Sequence, residues 1–231
     1  MSGQKRVTVL GSSGGIGRSC ADLFNIRGHR VTGVARTVAE GVSFKQVAID
    51  LSDPKSEEAL SKEIEKSDPD VLVFCTGQSL EDDITTVDIS RSSQLLQVNA
   101  LCVLPAIRRM VENPKVHCRS IVLISSVHAR GKFDRLSYSM SKAALEAIMH
   151  STSAELMKAN IRINCIRPGP TETAMLKNAF PKGSVDEADY LKKIPSGRFS
   201  SPQEVAETVF FLAEDQSENI TGQVISISGG F

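Results

Sequence analysis

A tyrosine and a lysine four residues apart, Tyr138 and Lys142, are the side chains in this sequence best suited to transferring a proton. They follow the apolar run 121–124 and two adjacent hydroxyls, Ser125 and Ser126. On a helix, this spacing places the phenol and the ammonium one turn apart on one face, where the ammonium is expected to lower the tyrosine pKa. A serine hydroxyl opposite them would hold a carbonyl oxygen. The set predicts interconversion of a ketone and an alcohol, although an ordinary amphipathic Tyr–Lys pair has the same spacing.

The elements that would position these residues alternate between strand and helix. Strands are predicted over residues 6–10, 30–35, 44–49, 71–75, 121–124, 161–166 and 224–227. Helices are predicted from the turn at 11–17 to about residue 27, and over residues 54–66, 91–112, 138–158 and 202–213, with Ser137 as the cap of the helix that carries Tyr138. Repeated strand–helix units of this length predict an α/β fold: a parallel sheet of about seven strands with helices on both faces, in a single domain spanning residues 1–231.

A second informative stretch, GSSGGIG at residues 11–17, lies between the first strand and the first helix. Glycines at this position let backbone amides approach a pyrophosphate, which the helix N-terminus also attracts. The common G-x-G-x-x-G fingerprint does not fit. Two other spacings do, G-x-x-x-G-x-G and G-x-x-G-x-x-G, so the stretch predicts a dinucleotide site rather than a flexible surface turn.

Composition excludes several classes of function. Lysine and arginine total 27, as do aspartate and glutamate, so a net charge of +0 predicts neither nucleic acid nor a membrane surface as a partner. Five scattered cysteines predict reduced thiols and a cytoplasmic protein, and four histidines without ligand spacing predict no metal. No apolar run approaches the ~18 residues of a membrane span, and the first strand begins too early to leave room for a signal peptide.

Four motifs occur in a recognisable order: GSSGGIG, a strand ending in serines, YSMSK at 138–142 and RPG at 167–169. Together they resemble the short-chain dehydrogenase/reductase family, and the likeness continues through the C-terminal stretch GRFSSPQEVAETVFFLAEDQSENITGQVISISGG. The resemblance implies a Rossmann-like doubly wound sheet and a nicotinamide-dependent oxidoreductase. The compact chain is similar to single-domain members such as 3-oxoacyl-ACP reductases rather than to the extended epimerase and dehydratase branch.

The resemblance also implies roles for particular residues. Tyr138 would be the acid/base, Lys142 would lower its pKa and hold the nicotinamide ribose, one serine would polarise the carbonyl, and Asn99 would anchor a proton-relay water. Further residues expected to contact the cofactor are Gly11, Ser13, Gly15, Ile16, Gly17, Arg36, Asp50, Leu51, Gly77, Pro168, Gly169 and Thr173.

Two counts disagree about the catalytic serine. The family's commonest separation of thirteen residues from Tyr138 selects Ser125, whereas the position along the strand selects Ser126. We prefer the strand position and predict Ser126, because a rigid sheet fixes where a side chain points whereas a loop absorbs a deletion.

The expected cofactor is NADP(H). Family members that use NAD hold its ribose with a carboxylate at the end of the second strand, where this chain has Ala35 followed by Arg36. An arginine beside a small side chain favours a 2′-phosphate.

The sequence departs from the family pattern at three places. Leu10 replaces a threonine, Ser228 replaces an aspartate, and Phe74-Cys75-Thr76-Gly77 stands where the family has Asn-Asn-Ala-Gly. The last change affects the contacts between central strands and the adenine side of the site, but no catalytic atom.

The sequence also gives expectations about the substrate, the oligomeric state and the alternative functions. The substrate is expected to be a small carbonyl or alcohol compound, with a 3-oxoacyl thioester or similar ketone as the leading candidate and with the segment 171–198 shaping its pocket. A basic loop with Arg130, Lys132 and Arg135 favours an anionic substrate, unless it is simply a solvated loop. The helices predicted over residues 91–112 and 138–158, which the family usually pairs across a twofold axis, carry more apolar residues than one buried stripe needs and so predict a homodimer or homotetramer. These residues are Leu95, Leu96, Leu101, Val103, Leu104, Ile107, Leu145, Ile148 and Met149. The alternatives are a catalytically idle NADP-binding sensor or scaffold, or an epimerase-like member acting on a sugar nucleotide.

Overall fold

Seven parallel strands form one sheet in the computed structural model, which describes residues 3–179 and 185–231. The strands are β1 Arg6–Leu10, β2 Arg30–Ala35, β3 Lys45–Ala48, β4 Val71–Phe74, β5 Ser120–Ile124, β6 Arg162–Pro168 and β7 Val224–Ile227. Their order is β3-β2-β1-β4-β5-β6-β7. The chain builds outward from β1 on one side and then from β4 on the other, so the strand order reverses between β1 and β4.

Helices cover both faces of the sheet. They are α1 Gly15–Ile26, α2 Glu57–Ser67, α3 Ile89–Asn99, α4 Leu104–Glu112, α5 Leu136–Lys158, α6 Ala174–Ala179, α7 Val185–Leu191 and α8 Pro202–Ala213. One core lies beneath α1 and α8, and the other beneath α2, α4 and α5. On β4, Val71 and Val73 join the first core while Leu72 and Phe74 join the second, because successive strand residues point to opposite faces. The fold predicted from the sequence is confirmed.

The helix predicted over residues 91–112 is wrong, because the chain breaks there into α3 and α4. Ala100, with φ −142° and ψ −58°, leaves the helical conformation, and a short 3₁₀ turn, Leu101–Val103, precedes α4. Pro105 occupies the first turn of α4. It has no N–H to donate to the carbonyl four residues earlier, and its ring would clash with that carbonyl in a continuous helix.

The predicted cap of α5 is also wrong. The helix begins at Leu136 rather than after Ser137, and Ser137 lies buried in its first turn. The backbone amide of Ser137 donates to Asp82 Oδ1 at 3.0 Å, and its hydroxyl donates to Asp82 Oδ2. A carboxylate from a distant loop therefore satisfies the start of the helix that carries Tyr138.

Two short helices, α6 and α7, lie in the segment 171–198 that we predicted to shape the substrate pocket. Residues 180–184 of that segment lie outside the described residues. None of the helices in the described ranges is long and apolar enough to cross a membrane.

Candidate active site

A cleft of about 720 Å³ opens at the carboxyl ends of the strands, where the strand order reverses. Ligands of open α/β sheets bind at this position. Every residue predicted to contact the cofactor lines the cleft: Gly11, Ser13, Gly15, Ile16, Gly17, Arg36, Asp50, Leu51, Gly77, Tyr138, Lys142, Pro168, Gly169 and Thr173. Ser125 and Ser126 also line it, whereas Asn99 lies just behind its wall.

The glycine turn before α1 leaves no space for a side chain at Gly11 or Gly17. Gly11 has φ +87°, and a Cβ there would lie 2.8 Å from the carbonyl carbon of Cys75. A Cβ on Gly17 would lie 2.2 Å from the Gly11 oxygen. No side chain caps α1, and its first turn carries no acid. The amides of this turn are therefore well suited to a dinucleotide pyrophosphate, and the residues present fit a nicotinamide cofactor.

At one end of the cleft, the strand β2 ends beside an arginine, and no carboxylate stands at this position. Ala35 ends the strand, and the next residue, Arg36, is exposed and lines the cleft. Asp50 Oδ1 accepts hydrogen bonds from the hydroxyl of Ser52 at 2.6 Å and from its amide at 3.0 Å. These bonds, with the nearby charge of Arg36, hold the pKa of Asp50 below its usual value. Both charged side chains line the cleft, and their contact with the adenosine half of a dinucleotide stays a prediction.

The two adjacent serines at the end of β5 have different partners. Ser125 is buried, and its hydroxyl donates to Glu146 Oε1 at 2.6 Å beneath α5. Ser126 lies in the cleft, where its hydroxyl accepts from the His128 amide at 3.2 Å and where its proximity to the Tyr138 phenol acts to lower the pKa of that phenol. The strand geometry thus directs Ser126, rather than Ser125, toward Tyr138.

The expected lowering of the Tyr138 pKa by Lys142 is wrong for this structure. Burial raises the pKa of Tyr138 above its usual value, because the phenolate would lose its hydration. The hydrogen bond from Ser126 and the charge of Arg135 oppose this effect without reversing it. The phenol therefore keeps its proton at neutral pH, as a proton donor to a carbonyl must.

Lys142 is buried at the floor of the cleft, one helical turn after Tyr138. Its Nζ donates to the carbonyls of Ile124 at 2.9 Å and Thr76 at 3.5 Å. Burial lowers the pKa of Lys142 to about 8, because the ammonium is costly to desolvate. A Cβ on Gly77 would come within 3.4 Å of Nζ, so bare backbone is what fits beside the ammonium.

Asn99, the last residue of α3, is fully buried. Its Oδ1 accepts from the Gln78 amide at 2.8 Å, and its Nδ2 donates to the Gln78 carbonyl and to Ser141 Oγ, both at 2.9 Å. Asn99 therefore holds α3, α5 and the segment after β4 together around Lys142. Its role with a relay water stays a prediction.

Comparison with known proteins agrees with this geometry. A family model described as enoyl-(acyl carrier protein) reductase matches residues 11–231. The 3-oxoacyl-(acyl-carrier-protein) reductase FabG of Chlamydia trachomatis is 32% identical, over 98% of this chain and 96% of that protein. The chain belongs to the short-chain dehydrogenase/reductase family. Carbonyl reductase family member 4 of Danio rerio is also 32% identical, over 96% and 95% of the two chains.

Solved structures of family members have the same fold. A short-chain dehydrogenase family protein of Francisella tularensis superposes with a TM-score of 0.90 at 28% identity, covering 99% of this chain and 98% of its own. A 4-hydroxyisoleucine dehydrogenase complexed with NADH has a TM-score of 0.87 at 25% identity, covering 98% of each chain. Membership in this family makes the protein a ketone–alcohol oxidoreductase that uses a nicotinamide cofactor.

An ion pair behind the site was not predicted from the sequence of this short-chain dehydrogenase/reductase. Arg167 of β6 donates to both carboxylate oxygens of Glu146, through Nε to Oε1 at 2.6 Å and through a terminal nitrogen to Oε2. Glu146 also accepts from Ser125, so it joins β5, β6 and α5. Glu146 follows Lys142 by four residues, as Lys142 follows Tyr138, so the sequence did place Glu146 on the helix face that carries the site.

His128 is a second residue that sequence reasoning did not assign. Its ring lies 6.2 Å from the Tyr138 ring, measured between centroids, and it lines the cleft. Burial lowers the pKa of His128 to about 4, so it is neutral at pH 7. Its Nε2 is buried without a hydrogen-bond partner among the described residues.

The basic loop after β5 is only partly directed into the cleft. Lys132 lines the cleft, with Nζ 5.6 Å from the centre of the Tyr190 ring. Arg135 also lines it but is paired with Glu81 at 2.6 Å, whereas Arg130 is exposed and does not line the cleft. An anionic substrate would therefore meet Lys132 rather than all three cations.

Proposed function

We propose that this protein is an NADP(H)-dependent reductase that interconverts a ketone and a secondary alcohol, with Tyr138 as the acid/base. The observation that carries this proposal is the Tyr138 phenol, which lines the same cleft as Ser126, Lys142 and the glycine turn of α1 and whose raised pKa keeps it protonated at neutral pH. A nicotinamide would supply the hydride that a carbonyl carbon accepts.

In this proposal each side chain of the site has a separate task. The substrate oxygen would accept hydrogen bonds from Ser126 and Tyr138, and Tyr138 would give it a proton as charge develops there. Lys142 would hold the ribose hydroxyls and keep a positive charge near the phenol. Asn99 would fix the backbone around Lys142 through its three hydrogen bonds.

The leading substrate is a 3-oxoacyl thioester or a similar ketone. Two of the relatives named above are called a 3-oxoacyl-(acyl-carrier-protein) reductase and a carbonyl reductase. The cleft continues past Tyr138 along Val127, Met175 and Leu176, whose apolar side chains suit an acyl chain. Lys132 at the rim suits a negatively charged carrier or coenzyme.

The preference for NADP(H) follows from Ala35 and Arg36. Residue 35 is an alanine, so there is no carboxylate at this position to repel a 2′-phosphate. The exposed Arg36 would pair with that phosphate. A charge-assisted contact of this kind contributes on the order of 1.5–3 kcal/mol, or roughly ten- to hundredfold in affinity. Arg36→Gln should lower kcat/KM for NADPH by that factor and leave kcat/KM for NADH nearly unchanged. Arg30→Gln, an exposed arginine at the opposite end of β2, is the matched control.

The test of the function is oxidation of NADPH and NADH with a panel of ketones, 3-oxoacyl thioesters and enoyl thioesters, the last because of the name of the matching family model. Turnover of a ketone or 3-oxoacyl compound with NADPH, abolished by Tyr138→Phe, is the expected result. Equal or better kcat/KM with NADH would refute the cofactor preference. Tight NADPH binding without turnover of any compound would instead identify an idle cofactor-binding protein.

A further inference from the structure

Cys75 differs from the other four cysteines of the chain. Cys20, Cys102, Cys118 and Cys165 are each at most 3% exposed, whereas Cys75 is only partly buried and lines the cleft. It directly follows β4 and lies beneath the glycine turn, where its carbonyl carbon would touch a Cβ on Gly11. A ligand bound at the glycine turn before α1 would therefore cover this thiol.

Cys20 is the partner of Cys75 on α1. A Cβ on Gly17 would lie 3.0 Å from Cys75 Cβ, and Cys20 follows Gly17 by three residues, which places it on the same face of the helix. Both cysteines pack in the core beneath α1 and α8. A hydrogen bond from the Cys20 thiol to Cys75, together with burial, holds the pKa of Cys20 well above its usual value.

Positive charge lies near Cys75. The Lys142 ammonium donates to the carbonyl of Thr76, the residue after Cys75, at 3.5 Å, and both Lys142 and Cys75 line the cleft. The first turn of α1, with its unpaired amides, lies on the same side of the cleft. Nearby cations, a helix N-terminus and access to solvent are the conditions under which a cysteine reacts as a thiolate.

We propose that Cys75 is an oxidation site for hydrogen peroxide, that Cys20 is its resolving thiol, and that the resulting disulfide weakens cofactor binding. In the first step the Cys75 thiolate attacks one oxygen of hydrogen peroxide, the O–O bond breaks, and the products are Cys75 sulfenic acid and hydroxide. In the second step the Cys20 sulfur displaces the sulfenic hydroxyl. The S–S bond forms, the S–O bond breaks, and the Cys20 proton leaves with the hydroxyl as water.

A disulfide between Cys20 and Cys75 would directly change the position of the glycine turn before α1. It would join α1 to the end of β4 at the point where Gly11, Gly17 and Cys75 already contact one another. The two segments are closely packed and leave no free space between them. Bringing the two sulfur atoms to bonding distance must therefore move the first turn of α1 or the segment 75–77. Misplacing one contact to a pyrophosphate is expected to weaken cofactor binding by roughly tenfold or more.

The test treats the reduced full-length protein with hydrogen peroxide, with and without saturating NADP⁺, and maps disulfides by peptide mass spectrometry. NADPH affinity is then measured by fluorescence titration before and after treatment. We expect a Cys20–Cys75 disulfide, protection by NADP⁺, roughly tenfold weaker NADPH binding, and recovery after reduction with dithiothreitol. Oxidation confined to other cysteines, or unchanged NADPH affinity once the disulfide has formed, would overturn the proposal.

Three variants separate the steps. In Cys75→Ala, peroxide should not change NADPH affinity, whatever affinity the variant starts from. In Cys20→Ala, dimedone should trap a sulfenic acid on Cys75, because no resolving thiol remains. Cys118→Ala, which removes a buried thiol outside the cleft, should respond as the unsubstituted chain does. The inference rests on the cleft being a nicotinamide site. If the reduced protein failed to bind NADPH, the proposed function and the effect of the disulfide on cofactor binding would both fail, whereas disulfide mapping would still decide whether Cys75 and Cys20 are oxidised to a disulfide.

Discussion

Ser125 and Ser126 are adjacent in sequence but are expected to contribute to different properties of the molecule. Ser125 binds Glu146 beneath the sheet end, whereas Ser126 binds Tyr138 in the cleft. Because strand residues alternate between faces, one residue of such a pair is available for chemistry and the other for packing.

This division gives a test with paired variants. Ser126→Ala should lower kcat for ketone reduction by ~2.7–4 kcal/mol of activation free energy, the loss typical of removing an oxyanion donor. Ser125→Ala should keep most of kcat and lower the free energy of unfolding by ~1 kcal/mol, because one buried hydrogen bond to Glu146 is lost. Steady-state kinetics and urea unfolding measure the two effects. If Ser125→Ala were inactive and Ser126→Ala active, the assignment would be reversed.

The raised pKa of Tyr138 predicts opposite pH profiles for the two directions of the reaction. Ketone reduction needs the protonated phenol, which persists through neutral pH, so kcat/KM for reduction should be flat from pH 6 to about 7. It should fall at higher pH, as Lys142, whose pKa is about 8, loses its charge. Alcohol oxidation needs the phenolate, so its kcat/KM should keep rising beyond pH 8. A reduction rate that rises with pH across this range would contradict the assignment of Tyr138 as the proton donor.

The helix α5 positions the site because its first turn and its middle are held by groups from elsewhere in the chain. Asp82 binds the first turn through Ser137, and Arg167 binds Glu146 two turns beyond Tyr138. Tyr138 and Lys142 lie between these two attachments, so the phenol has little freedom to move relative to β5.

Glu146→Gln tests the second attachment. The variant keeps the shape of the side chain but leaves the partly buried Arg167 without its carboxylate, so unfolding free energy should fall by ~1.5–3 kcal/mol. Because Tyr138 is positioned through this helix, kcat should fall as well, with KM for NADPH nearly constant. Urea unfolding and steady-state kinetics are the measurements. Glu155→Gln, an exposed change on the same helix, should alter neither quantity.

Sequence was most informative about elements whose signals are local. The β-branched runs of β1 and β2 predicted both strands with their observed bounds, and the glycine and Tyr–Lys motifs led to the cleft. The start of α5 was not predictable, because the group that satisfies it, Asp82, is 55 residues away from Ser137. The break between α3 and α4 did have a local signal, Pro105, which the apolar pattern of the two helices obscured.

At the scale of the whole molecule, the apolar surface predicted for self-association is smaller than the sequence indicated. Many of the expected residues are buried within the chain: Leu95, Val103, Ile107, Leu145 and Met149. Leu101 and Leu104 remain exposed at 38% each, beside a groove of about 630 Å³ between α2, α4 and α5. We propose that a twofold contact between copies of the chain covers this surface and forms a homodimer or homotetramer.

Light scattering at micromolar concentration should therefore give at least twice the 25.0 kDa mass of the chain. The double variant Leu101→Glu with Leu104→Glu should shift the mass toward the monomer, because charges would be buried in the contact. Ile26→Glu, which changes an apolar residue 79% exposed at the end of α1, should leave the mass unchanged. A monomeric mass for the unsubstituted chain would refute the pairing.

Because β7 is synthesised after the other strands, its packing beside Gly169 determines when the cleft can be completed. Gly169, at the floor of the cleft, lies so close to Ser228 that a Cβ would come within 2.8 Å of its Cα, and Gly229 accepts a hydrogen bond from the Ser196 amide. The wall around Gly169 is therefore built partly by residues translated after every other strand. A nascent chain that has already exposed its glycine turn, Tyr138 and Lys142 still lacks this wall until residues 224–231 leave the exit tunnel, so cofactor capture is expected only after these residues have packed against β6.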